Sequence, residues 1–108
     1  MTKAEINEII RDTARAYGFE ASEEPSSFTG MTEIRSEELN FTFTTGTTEN
    51  TDWEARFIEE RIEVSASVRK MGGSPSPEEL MKTAEEIRRG AELTAKLQSM
   101  DLTYTETF

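Results

Sequence analysis

Carboxylates are the abundant reactive groups in this chain, and many come as doublets: Glu23-Glu24, Glu37-Glu38, Glu59-Glu60, Glu78-Glu79 and Glu85-Glu86. Two carboxylates facing one substrate can serve as acid and base, as in glycoside hydrolysis. Adjacent residues point apart on a strand and diverge on a helix, so a doublet is not an assembled pair. Most acidic side chains are simply solvated. The chain contains no histidine and no cysteine. Ser-His-Asp and Cys-His nucleophile systems therefore cannot be built, and disulfides and thiolate zinc sites are excluded. Met71-Gly72-Gly73-Ser74 lacks the spacing and the lysine of a phosphate loop, and no Asp-rich loop offers a calcium or magnesium site. No enzyme activity, cofactor or metal is expected.

Charge distribution carries more functional content. The 108 residues hold 12 basic and 22 acidic side chains, a net charge of −10. Residues 37–68 contain eight of the acids and only Arg56 and Arg61 against them, net −6. Side chains two apart on a strand lie about 6.6–6.8 Å from one another on one face, the order of the step between backbone phosphates. A row of carboxylates at that step would imitate a phosphate track and occupy a basic groove through long-ranged, salt-sensitive attraction. The candidate partner-binding residues are Glu37, Glu38, Glu49, Asp52, Glu54, Glu59 and Glu63. Direct nucleic-acid binding is not expected, because like charge opposes the phosphate contacts that supply non-specific affinity. Trp53 reads as core packing ahead of an interface anchor.

The elements that must hold these groups follow from periodicity. Thr2 and Glu5 form a capping box, Ile6, Ile9, Ile10, Thr13 and Tyr17 recur at helical spacing, and Gly18 stops the run, predicting a helix over 3–17. An acidic loop leads to a short edge strand near 31–35. Leu39, Phe41 and Phe43 alternate with polar residues, predicting a strand over about 38–45, with Gly46 to Asn50 as a turn. Ile62, Val64, Ala66 and Val68 alternate likewise. Reversed parity upstream, at Trp53, Ala55 and Phe57, predicts one bent strand over 53–69 with a bulge near Phe57-Ile58; a short helix over 52–60 is the rival. Ser76-Pro77-Glu78-Glu79 starts a helix over 77–98, whose first apolar stripe is Leu80, Ala84, Ile87 and Ala91. Past Gly90 a second stripe, Leu93, Leu97 and Met100, points elsewhere and is the candidate oligomer interface, internal or in a homodimer. Leu102 and Tyr104 allow a short last strand.

The expected fold is a single α+β domain over residues 1–108: an antiparallel β-meander of about three or four strands packed on one face by an N-terminal and a C-terminal helix. With no apolar leader or membrane-length run, the expected location is the cytoplasm, the host's if the chain is phage-encoded. Asn40-Phe41-Thr42 is then a chance glycosylation match. The functional expectation is a small acidic binding protein of a phage or mobile-element inhibitor type. It would dock on a basic, nucleic-acid-binding surface of a partner protein as a DNA mimic. The alternative is a homo-oligomeric structural or scaffold protein using the second helix.

Overall fold

A computed structural model describes residues 1–50, 57–69 and 73–107. Helix α1 spans Lys3–Ala16, capped by the Thr2 hydroxyl, which accepts from the Glu5 N–H at 3.2 Å. At its other end Gly18 adopts φ 85°, and the Phe19 N–H reaches back to the Ala14 carbonyl at 3.0 Å. This left-handed C-terminal cap is the reason glycine stands there. Ile6, Ile10 and Ala14 are fully buried, while Ile9, Thr13 and Tyr17 are half-buried. Asn7 is buried too: its amide donates to the Gly30 carbonyl at 3.0 Å and accepts from the Thr32 N–H at 2.9 Å. One polar side chain thereby ties the irregular segment after α1 to the helix.

That segment contains a two-stranded antiparallel sheet, β1 (Glu20–Ala21) with β2 (Ile34–Arg35). The expected edge strand at 31–35 is thus reduced to two residues and belongs to its own small sheet. The main sheet has order β3-β4-β5 and is antiparallel throughout: β3 Leu39–Asn50, β4 Phe57–Val68 and β5 Thr103–Thr107. Pairing runs without interruption from Leu39↔Val68 to Asn50↔Phe57. Two expectations are corrected by this register. Gly46 to Asn50 is strand, its threonine-rich run suiting a pleated surface when a partner strand is present. No bulge breaks residues 57–68, and residues 57–60 are strand where the rival helix was placed. Trp53, and the parity argument built on it and Ala55, lie outside the described residues.

Helix α2 spans Pro77–Ser99, with Ser76 as N-cap accepting from the Glu79 N–H at 3.2 Å and Pro77 opening the first turn. Its buried face is Thr83, Gly90, Leu93 and Leu97. The expected core stripe is corrected: Leu80 is 50% exposed, Ile87 36%, and Ala84 and Ala91 are exposed as well. Gly90 decides the choice. A Cβ there would lie 2.2 Å from Leu39 Cδ1, so α2 can approach the sheet this closely only on the face that has no side chain at 90. Val68, on the same apolar parity of β4 as the buried Ile62 and Val64, is 52% exposed.

Among the described residues, one face of the main sheet is buried, through Leu39, Ile62, Val64 and Tyr104, and Leu102 just before β5 and the buried residues of α1 and α2 join it in one core. The α1–α2 contact is sealed by Arg89, which donates to the Tyr17 and Gly18 carbonyls at 3.1 and 3.2 Å and lies over the Phe19 ring at 4.8 Å. A cation at the C-terminal end of α1 also opposes the helix dipole favourably. Phe19 in turn meets Phe41 edge to face, 5.3 Å between centroids. Among the described residues, no helix is long and apolar enough to cross a membrane.

Candidate functional site

The exposed sheet face presents Asn40, Thr42 and Thr44 from β3, Glu59, Arg61, Glu63, Ser65 and Ser67 from β4 with Arg69 just beyond it, and Thr105 from β5. Period-two alternation places Glu59 and Glu63 on this face about 13 Å apart, with Arg61 between them. The expected unbroken row of carboxylates is therefore not formed in the described part of β4. Glu59 and Glu63 are balanced on this face by Arg61 and Arg69, and the remainder is hydroxyl and amide.

The other candidates are dispersed. Glu37 and Glu38 precede β3. Glu37 pairs with Lys82 Nζ at 3.3 Å, and Glu38 donates its N–H to the Glu86 carboxylate at 2.8 Å and accepts from the Arg69 N–H at 2.8 Å. They lie at the Leu39↔Val68 end of the hairpin. Glu49 and Glu59 lie towards the opposite end, paired in register with Ile58 and Thr48. Asp52 and Glu54 are outside the described residues. Leu93 and Leu97 are 0% and 1% exposed and Met100 packs against the same core, so this stripe is an internal contact and is not available to a second copy.

Two carboxylates have roles that sequence reasoning did not assign. Glu86 accepts from the Ser36 hydroxyl at 2.7 Å as well as from Glu38, fastening α2 to the start of β3. Glu60, on the opposite sheet face from Glu59, accepts a hydrogen bond from the Tyr104 hydroxyl. Strict alternation does signal that Glu59 and Glu60 part company; their individual partners come from distant chain segments and leave no local mark.

Ion pairs among the described residues cluster around the helices. Arg15 bonds Glu23 at 2.5 Å, Arg88 bridges Glu85 and Glu92, and Arg89 lies 3.7 Å from Glu86. The Arg15 hydrogen bond holds the Glu23 carboxyl below the usual carboxylate range, and the Arg88 hydrogen bond does the same to Glu85. Reciprocally, Glu85 raises the Arg88 guanidinium above its ordinary range. None of these ion pairs includes Glu59, Glu60 or Glu63.

An open depression of about 580 Å³ lies between residues 29–36 and β3, lined by Thr32, Ile34, Phe41, Phe43 and Arg69 among others. Among the described residues, no buried side-chain nitrogen or oxygen lacks a hydrogen-bond partner, and no acidic cluster is arranged to hold a metal ion. Chemically, these surfaces can present charge, hydroxyls and backbone to another molecule. Comparison with protein-family models, curated proteins and solved structures finds no match to this chain.

Proposed function

We propose that this protein is a small acidic, non-enzymatic binding module that docks on a basic, nucleic-acid-binding surface of a partner protein, in the manner of a phage or mobile-element inhibitor. The observation carrying this reading is the segregation of charge. Arg15, Arg88 and Arg89 of the helix layer are paired with local carboxylates, whereas the stretch of sequence from 44 to 63 has six acids, Glu49, Asp52, Glu54, Glu59, Glu60 and Glu63, against Arg56 and Arg61. Continuous pairing of β3 with β4 over Leu39–Asn50 and Phe57–Val68 supports the reading further, since charges carried on paired strands avoid the ordering cost of a floppy acidic tail. The docking region is the acidic stretch that includes Glu59 and Glu63, and mimicry of phosphate there rests on local charge density with no regular spacing of carboxylates.

The test is capture from host lysate at low and high salt, followed by association kinetics with the recovered protein and competition by duplex DNA. Glu59→Lys with Glu63→Lys should slow association about tenfold or more and flatten its salt dependence, because steering charges act on the on-rate. Glu8→Lys with Glu24→Lys, an equal change in net charge on exposed residues elsewhere, should do much less. Equal effects of the two pairs would mean that only total charge matters, and the docking assignment would fail.

A further inference from the structure

We infer that the free edge of β4 is a self-recognition surface, through which two copies of this chain join their three-stranded sheets into one continuous sheet. The inference stands on the strand edge and does not require the acidic docking reading, although Glu63 serves in both; Ala66→Pro distinguishes them, since it should remove the dimer and leave docking intact. Among the described residues, β5 pairs with Phe57–Arg61 of β4. One further bond, Ile62 N–H to the Leu102 carbonyl at 2.9 Å, closes that ladder, and next along the edge the Gln98 side chain donates to the Val64 carbonyl at 3.0 Å. From Val64 to Val68 no strand covers this side among the described residues. Ile62 and Val64 turn their backbone groups to the β5 side, while Arg69 N–H bonds Glu38 on the β3 side. By alternation, Ala66 and Val68 aim their N–H and carbonyl groups at the open edge. Such an edge is a template for strand pairing, and here it carries neither proline nor lysine to blunt it.

The residues along the edge say what it fits. Glu63-Val64-Ser65-Ala66-Ser67-Val68-Arg69 reads the same in both directions about Ala66, except that its ends carry opposite charges. In antiparallel pairing with a second copy centred on Ala66, Val64 meets Val68, Ser65 meets Ser67, and Ala66 meets itself. Glu63 then faces Arg69 of the second copy at both ends, once the Arg69 guanidinium turns from the Leu39 carbonyl, to which its Nε donates at 3.3 Å within its own chain. A two-fold contact requires this self-complementarity. The register also matches backbone chemistry: Val64, Ala66 and Val68 become hydrogen-bonded pairs, each exchanging both bonds with its opposite number. Val68 of the second copy replaces the Gln98 amide on Val64. A slip of two residues one way sets Arg61 against Arg69, and the other way sets Arg69 against Ser65, so charge selects the centred register.

Apolar surface adjoining the edge supports the same occupant. Ala66, Val68, Ile87, Ala91 and Ala95 line an open depression of about 310 Å³ between β4 and α2. Val68 is 52% and Ile87 36% exposed. A two-fold axis through Ala66, perpendicular to the sheet, brings two α2 helices side by side over the joined strands, with alanines at 84, 91 and 95 permitting close approach. The exposed stripe of α2 is thereby covered by its own symmetry mate.

Because the chain lacks cysteine, single introduced cysteines report the contact without interference. Ala66→Cys should cross-link to itself on mild oxidation, since hydrogen-bonded pairs place their Cα atoms about 5.5 Å apart, within disulfide reach. Ser65→Cys should cross-link in a mixture with Ser67→Cys and not alone. Thr42→Cys, exposed on β3, should not cross-link. Sedimentation over a concentration series should show a monomer–dimer equilibrium that persists at high salt. Ala66→Pro should abolish it while leaving the circular dichroism spectrum unchanged, because the N–H it removes does not serve the β3 ladder. Glu63→Arg and Arg69→Glu should each weaken the dimer about tenfold, counting one Glu–Arg pair at each end, and the double variant should restore it. A monomer at every concentration, a dimer indifferent to Ala66→Pro in folded protein, or cross-linking at Thr42→Cys in place of Ala66→Cys would overturn the inference.

Discussion

Gly90→Ala is a substitution whose sign depends on one tertiary contact. On an exposed helix face, replacing glycine with alanine stabilises by about 0.8–1.0 kcal/mol through helix propensity. At position 90 the new Cβ would stand 2.2 Å from Leu39 Cδ1 and 3.6 Å from Phe41 Cζ. Carbon atoms at their best separation are about 3.5–4.0 Å apart, so Leu39 must withdraw by roughly 1.5 Å. Leu39 is 3% exposed and lies within the core cluster, which leaves little space for that movement. Overpacking of this kind costs about 1–3 kcal/mol. The expected net result is a loss of up to about 2 kcal/mol, after the propensity gain is subtracted. Urea unfolding monitored by circular dichroism measures it, provided the slope with denaturant is unchanged. Leu39→Ala alone should cost about 2–5 kcal/mol as a large-to-small core change. In that background the obstructing methyl is gone, and Gly90→Ala should become stabilising by about 1 kcal/mol. The coupling between the two sites should thus be about 1–3 kcal/mol, within the range found for residues in contact. If Gly90→Ala stabilises the otherwise unaltered chain, the close approach of α2 to β3 is wrong, and with it the account of which helix face is buried.

Asn7→Ala should leave the Gly30 carbonyl and Thr32 N–H unpaired and cost about 1–3 kcal/mol for each group that stays buried, with faster proteolysis between residues 22 and 33 as a second readout. Acidification should remove a small stabilisation. Glu23 and Glu85 have folded-state pKa values depressed below the ordinary 4.5, so their contribution is present above that value and is lost as pH falls through the folded-state value. Urea midpoints at pH 7 and pH 3 measure the loss, which Glu23→Gln should reduce; an unchanged difference between the two midpoints in that variant would remove Glu23 from the account.

The helix boundaries, the half-buried strands and the exclusion of histidine and cysteine chemistry were readable in the chain because their causes are local. Thr2 with Glu5, Gly18, and Ser76 with Pro77 act on backbone groups within a few residues of themselves. The alternation of Leu39 to Phe43 and of Ile62 to Val64 states which sheet face is apolar wherever that sheet lies. Even the interruption of the acidic row was implicit, since Glu59, Arg61 and Glu63 share one parity on any strand. The length of β3 was not local: Gly46 to Asn50 has turn-like residues, and only pairing with Phe57–Arg61 and the further support of β5 make it strand. The buried stripe of α2 was not local either. The helix carries two apolar stripes, and periodicity ranks Leu80, Ala84, Ile87 and Ala91 no lower than Leu93 and Leu97. Steric contact with Leu39, fifty-one residues earlier in the chain, selects the face where glycine leaves room. That choice puts Leu93 and Leu97 in the core and leaves Ile87 and Ala91 beside the open edge of β4. Burial is a property of the pair of surfaces that meet, and a single segment specifies only one of them.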